Sequence, residues 1–273
     1  MRVLAVLQRS KERLVSHPLS FASVNGAGNS SFNGEERPYF LLSPGQGDML
    51  PEGGVGILLP KGEVRPFFFL SVGGDVLFRI LEGEPLPELK IERGGFIPVS
   101  ARAELLRPLS VGVLTVSDKG SMGEREDLSG PALARCVKPL GAIIEAAEIR
   151  PDDLDEIASI LREWSDVQRL NLVLTTGGTG LSKRDVTPEA LSLVADKHAP
   201  GIGEAMRVAS MRITPKAMLS RLCAVTRGET LIVALPGSEK AVEECFSVIA
   251  PALRHGVEIL CGWGGECGSS PDR

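Results

Sequence analysis

The sequence predicts an α/β protein, with a doubly wound, mostly parallel sheet in its second half preceded by a small β-rich domain. Three observations carry this. Residues 111–116 form an unbroken apolar run, as expected of a strand buried on both faces. After it, apolar runs and helical periodicities alternate in a β-α-β-α-β order, which calls for parallel strands joined by right-handed crossovers. Finally, eight of the nine phenylalanines lie before residue 100 and all five cysteines after residue 135, a partition that places a boundary near residue 108.

Residues 1–108 hold short apolar runs at 2–7, 55–59, 67–72 and 76–81, separated by Gly/Asn/Ser-rich 25–34 and by 44–54. No stretch keeps a 3.6-residue period for three turns, so short strands and turns fit this half best. Residues 109–265 form the second domain. Its first strand, 111–116, is followed by a helix opened by Ser129 and Pro131, carrying Leu133, Val137 and Leu140 and stopped by Gly141. A second strand at 142–149 leads through Pro151 and Asp152 into a helix with Leu154, Ile157 and Leu161 at helical spacing. A third strand covers 170–176. Thr187 is expected to cap a helix with Pro188 in its first turn. Residues 224–226 and 231–235 flank Arg227-Gly228 as a hairpin, and 240–253 reads as a closing helix.

Composition narrows the function. The 43% apolar and 24% charged shares are those of an ordinary globular chain. With 30 Lys+Arg against 35 Asp+Glu the net charge is -5, so no global field favours nucleic acid or an anionic membrane. No apolar span approaches the roughly 20 residues of a membrane helix, and the N-terminal run is too short for a signal sequence, so a cytoplasmic protein is expected. Cys136, Cys223, Cys245, Cys261 and Cys267 show no C-x-x-C spacing and suggest neither disulfides nor zinc. His17, His198 and His255 have no partner at metal or triad spacing, so no catalytic histidine is assigned.

In open α/β sheets ligands bind beyond the carboxyl ends of the strands. Here those positions are polar: Ser117-Asp118-Lys119-Gly120 after the first strand, Pro151-Asp152-Asp153 after the second, and Thr176-Gly177-Gly178-Thr179-Gly180 with Lys183-Arg184-Asp185 after the third. A glycine turn lets backbone N–H groups approach a phosphate, and Lys183 and Arg184 offer countercharge. It is neither a Walker A loop nor a G-x-G-x-x-G fingerprint, and a tight strand-to-helix connection would explain it as well. Asp152 and Asp185 on one edge suit Mg²⁺ shared with phosphate oxygens. Asp152 also stands where a helix cap belongs, and Asp185 where an Asx turn would order the loop; the residues alone leave both readings open. Pro236-Gly237-Ser238 ends a strand before a helix, placing free N–H groups and a hydroxyl where an anion could sit, or where serine simply caps. Met206, Met211 and Met218 fit core or subunit-interface packing.

Taken in order, Val116-Ser117-Asp118-Lys119, Asp127 to Pro131, the Thr-Gly-Gly-Thr-Gly loop, Arg184 to Glu189, Pro200 to Arg207, Leu219-Ser220-Arg221 and Leu235 to Ser238 resemble the molybdopterin-binding domain of molybdopterin adenylyltransferases, in the Mog or MoaB branch. The resemblance covers residues 110–262. It implies a three-layer α/β fold with helices on both faces of the sheet, assembled as a homotrimer, in which ATP and molybdopterin yield adenylylated molybdopterin and pyrophosphate with Mg²⁺. The family's two acidic positions fall on Asp152 and Asp185; Ser117 and Asp118 would line the first loop, and Glu204 and Ser220 would be secondary pocket positions. A molybdate-inserting enzyme would be the partner. Residues 1–108 are faintly similar to a MOSC-type β-barrel but are short and lack cysteine, which implies a reduced, non-catalytic relative. The competing functions are a non-catalytic molybdopterin carrier, and molybdate insertion or pyrophosphate chemistry on the same domain.

Overall fold

The computed structural model describes residues 103–263 without a break and, ahead of them, residues 14–16, 30–32, 35–37, 39–42, 56–58, 68–72, 75–81, 88–91 and 95–98. The run at 2–7, His17 and Cys267 lie outside the described residues. The chain divides into two compact units, Met1–Pro108 and Leu109–Arg273.

The described residues of the first unit are almost all strand: β1 (Leu14–Ser16), β2 (Ser30–Phe32), β3 (Glu35–Arg37), β4 (Tyr39–Leu42), β5 (Gly56–Leu58), β6 (Phe69–Val72), β7 (Asp75–Leu81), β8 (Glu88–Ile91), β9 (Gly95–Pro98) and β10 (Ala103–Leu106). Every pairing is antiparallel, and β10-β6-β7-β8 form a four-stranded sheet. Phe69, Val76 and Phe78 are buried on this sheet, and the Arg79 guanidinium stacks 5.0 Å from the Phe69 ring.

The second unit runs β11 (Leu109–Val116), α1 (Asp118–Ser121), α2 (Ser129–Cys136), β12 (Ala142–Arg150), α3 (Leu154–Arg162), β13 (Leu172–Thr176), α4 (Thr187–Val194), β14 (Lys197–His198), α5 (Pro200–Met211), β15 (Cys223–Arg227), β16 (Thr230–Leu235) and α6 (Glu239–Leu260). Its sheet has the order β12-β11-β13-β16-β15-β14; the first four strands are parallel and β15 is antiparallel to both neighbours. The mostly parallel sheet is thus the expected one, and the expected hairpin is β15–β16, with Val225 opposite Ile232.

Strand alternation feeds two cores. Val111, Val113, Leu172, Leu174, Val233 and Leu235 point to one face and pack with Leu133 of α2, Met206 of α5 and Val242, Phe246 and Ile249 of α6. Leu114, Val116, Val173, Ile232 and Ala234 point to the other and pack with Ile157 and Leu161 of α3 and Leu191 and Val194 of α4. Helices on both faces make three layers, and explain why the central strands read as continuous apolar runs. The closing helix outlasts its expected end at 253 and carries Pro251 within it. Proline removes one backbone donor, but Leu253 and Val257 are buried in the first core and hold the helix on the sheet past that point.

Four parallel strands finish at one edge. Thr115 pairs with Thr176, Thr176 with Leu235, and Val116 with Arg150. The loops that follow must therefore emerge side by side.

Candidate functional site

The first two loops are latched by a reciprocal pair of bonds. The Asp118 N–H donates to Asp152 Oδ2 and the Asp152 N–H donates to Asp118 Oδ1, each at 3.0 Å. Ser117 caps the helical turn α1 by accepting from the Gly120 N–H at 3.1 Å. Capping of α3 falls to Asp153, whose carboxylate accepts from the N–H groups of Asp155 and Glu156. Asp152 is therefore not the cap that its place after a proline allowed. One position further along supplies it, and the Asp152 carboxylate faces the strand ends.

Electrostatics separate these acids. Arg184 forks onto Asp118, Nε to Oδ2 at 3.0 Å and Nη2 to Oδ1 at 2.6 Å. That pair lowers the Asp118 pKa and raises that of Arg184. Asp152 moves the other way: burial, reinforced by the charges of Asp118 and Asp185, pushes its carboxyl above the usual carboxylate range. A group in that condition favours a nearby cation.

The glycine turn supplies the third wall. Gly177 and Gly178 both take positive φ, 101° and 62°. A Cβ on Gly177 would lie 2.2 Å from the Val116 carbonyl oxygen, and one on Gly178 would lie 2.3 Å from Thr187 Oγ1. Thr187 does not cap α4 as the sequence leads one to expect: it is the first helical residue, and Val186 takes the cap position without a side-chain bond. The Thr187 hydroxyl instead donates to the Gly177 carbonyl at 2.9 Å, and its N–H to the Gly178 carbonyl at 3.1 Å. With its side chain fully buried beside the turn, Thr187 serves the buried Gly177 carbonyl, which would otherwise lack this donor. Asp185 does not make the expected Asx turn: its carboxylate reaches back three residues to accept from the Ser182 N–H at 2.8 Å, which orders the loop from its other end. The fourth wall is the start of α6, where Ser238 caps by accepting from the Ala241 N–H at 3.4 Å, and Thr176 donates to the Pro236 carbonyl at 2.7 Å.

These loops enclose a cavity of about 570 Å³. Of the residues singled out from the sequence, Ser117, Asp152, Thr176, Gly177, Gly178, Asp185, Gly237 and Ser238 line it. Asp118 and Pro236 stand behind lining residues through the bonds above, and Thr179 and Gly180 continue the turn beyond the cavity wall. Glu204, exposed on α5, and Ser220, after the 3-10 turn Pro215–Leu219, do not line it in this chain. The cavity also takes in a segment that inspection of the strand ends alone passes over: Thr115, Arg125, Glu126, Asp127, Leu128 and Ser129. Asp127 organises it, accepting from Thr115 Oγ1 at 2.7 Å, Ser129 Oγ at 3.1 Å and the Gly130 N–H at 2.9 Å. The signal available was an aspartate two residues before a helix start.

Residues 112–255 match the family described as "probable molybdopterin binding domain". The molybdopterin adenylyltransferase of Helicobacter pylori (strain J99) is 40% identical over 159 residues, spanning 58% of this chain and 90% of that protein. The enzyme of the same name from Escherichia coli (strain K12) is 39% identical over 149 residues, 54% of this chain and 76% of its own. Among solved structures, the molybdopterin biosynthesis enzyme MoaB from Thermus thermophilus superimposes with a TM-score of 0.54 at 44% identity, covering 56% of this chain and 97% of that one.

Proposed function

Because this chain belongs to the molybdopterin-binding domain family, we propose that it is a molybdopterin adenylyltransferase of molybdenum cofactor biosynthesis. The observation that carries the reading is the meeting of Asp152 and Asp185 with an open glycine turn in one cavity of about 570 Å³, a size that suits small-molecule substrates. The terminal phosphate of molybdopterin attacks the α-phosphorus of ATP. A new P–O–P link forms, the bond from the α-phosphorus to the bridging oxygen breaks, and pyrophosphate leaves with that oxygen. No covalent enzyme intermediate is needed, so catalysis is positioning and charge stabilisation. Gly177 and Gly178, held at positive φ, shape the turn that forms this part of the cavity wall, and the N-terminus of α6 with the Ser238 hydroxyl offers donors and a partial positive charge.

Magnesium fits the acidic pair. Asp152 has its pKa raised by burial and by the charges of Asp118 and Asp185. A hard cation held by the Asp152 and Asp185 carboxylates would relieve that repulsion. When bound it would neutralise charge on the phosphate oxygens, with Asp152 and Asp185 holding it. Asp118 is spoken for by Arg184, which leaves Asp152 and Asp185 for this role.

The assembly we propose is a cytoplasmic homotrimer that passes adenylyl-molybdopterin to a molybdate-inserting enzyme. Among the described residues no helix is long and apolar enough to cross a membrane. The direct test is to incubate the protein with Mg-ATP and molybdopterin and follow both products. Adenylylated molybdopterin and pyrophosphate should appear in equal amounts. Tight molybdopterin binding with ATP untouched would replace the enzyme by a carrier.

A further inference from the structure

The segment between Thr176 and Thr187 carries Asp185 and two wall residues of the cavity, yet holds neither helix nor strand. Its inner side is fixed by Thr187, through the Gly177 and Gly178 carbonyls. Its far side is fixed from another part of the chain by Arg221, which precedes β15. The Arg221 N–H donates to the Thr179 carbonyl at 2.8 Å, Nε to the Gly180 carbonyl at 2.7 Å and Nη2 to the Asp185 carbonyl at 2.6 Å, while Nη1 pairs with the Glu189 carboxylate of α4. One side chain thus ties the turn, the aspartate's own backbone and the following helix together. Arg221 itself does not line the cavity.

We propose that Arg221 is a positioning residue for adenylyl transfer: it sets the Asp185 carboxylate opposite Asp152 by fixing the carbonyls on both sides of the loop. This rests on the adenylyl-transfer reading. The geometry requires arginine. A planar guanidinium presents N–H groups in several fixed directions at once, whereas a lysine ammonium keeps the charge but cannot reach two carbonyls and a carboxylate from one place. The acid would then sample positions off the reacting phosphates, and misplacement of about 1 Å costs about a hundredfold in rate. Ground-state binding, which draws on Ser117, Ser238 and the cavity floor, would change little.

The test compares Arg221→Lys with Arg227→Lys in the full chain. Arg227 makes a similar fork, to Asp166 and the Val194 carbonyl, but takes no part in the cavity wall. Turnover is expressed per molybdopterin-binding molecule, so that loss of folded protein is not read as loss of catalysis. Arg221→Lys should lower kcat about a hundredfold with KM for molybdopterin within about threefold of the wild type, and Arg227→Lys should leave both within about threefold. Unchanged kcat in Arg221→Lys, a raised KM in place of a lowered kcat, loss of molybdopterin binding, or an equal drop in Arg227→Lys would each overturn the proposal. The wild type measured alongside separates the two claims. No product from it overturns adenylyl transfer and this inference together, whereas product from the wild type with Arg221→Lys undiminished overturns the inference alone.

Discussion

At the residue scale the informative contrast is between Asp118 and Asp152, two carboxylates joined by mutual backbone bonds yet pushed in opposite directions. The unfolded chain gives up the Asp152 proton near 3.8, while the folded chain holds it to a higher pH. The stability carried by this proton is complete below the unfolded value and drains away as pH climbs through the raised folded value. Asp118 has the reverse sign: its stabilisation by Arg184 is present above the unfolded value and lost as pH falls through the depressed one, and so exposed a pair contributes little. Asp152→Asn keeps an oxygen to accept from the Asp118 N–H and abolishes the titration. Its melting temperature should therefore match the wild type in acid, pull ahead as pH rises from the unfolded value through the raised folded one, and keep that margin at higher pH, as thermal melts from acid to neutral pH would show. A variant less stable than the wild type at pH 7 would contradict the account. The same change should cost about 3 kcal/mol of transition-state stabilisation, roughly a hundredfold in kcat. Asp185→Asn should cost as much, and rates within about threefold of wild type in both variants would remove these acids from the mechanism.

At the element scale the turn after β13 is where backbone geometry and chemistry meet. Gly177→Ala would drive a Cβ against the Val116 carbonyl, a backbone atom with nowhere to move, and force alanine to φ 101°. It should destabilise the fold by about 1–3 kcal/mol and abolish turnover. Gly178→Ala meets side-chain atoms instead of backbone, Thr187 Oγ1 at 2.3 Å and Asp152 Oδ1 at 3.1 Å, and holds alanine at φ 62°; yielding would cost the Thr187 bond to the Gly177 carbonyl. It should lose less stability but still lose activity by shifting Asp152. Urea unfolding of the two variants settles the order, and equal stability would show that the carbonyl contact is relieved elsewhere. Much of this element structure is legible in the sequence, because the central strands are buried on both faces and so announce themselves as apolar runs, while the β15–β16 hairpin is marked by Gly228. What escapes a sequence reading depends on partners distant along the chain. The use of Thr187 as a donor follows from where the Gly177 carbonyl lies, and Asp127 joins the cavity because Thr115 on β11 bonds to it. The full length of α6 is hidden because the expected helix ends at residue 253, and only the burial of Val257 against the first core shows why it runs on to Leu260.

At the scale of the whole molecule the question is what covers the apolar side chains that the sheet does not. Met206 and Leu222 are buried in the first core, so they need no partner subunit. Val208, Met211, Ile213, Met218 and Leu219 are between 39% and 61% exposed, all within α5 and the turn that follows it. On α5, positions 201, 204, 205, 208 and 211 recur at helical spacing and are all exposed, so Glu204 shares its outward face with Val208 and Met211. Closed symmetry makes one such repeated patch sufficient for assembly, and apolar groups clustered on a surface mark interfaces. The second unit has two cores of its own, so a fragment beginning at Leu106 should fold, bind molybdopterin and assemble as the intact chain does. Sedimentation equilibrium should return about three times the 29.0 kDa chain mass for the full protein, and about three subunit masses for the fragment. Replacing Met211 and Ile213 together with glutamate should give a monomer that still melts cooperatively, since neither side chain belongs to a core. A concentration-independent monomer in both unmodified forms would refute trimerisation. A trimer seen only in the intact chain would move the interface to residues 1–108 and leave the exposed face of α5 without its proposed cover.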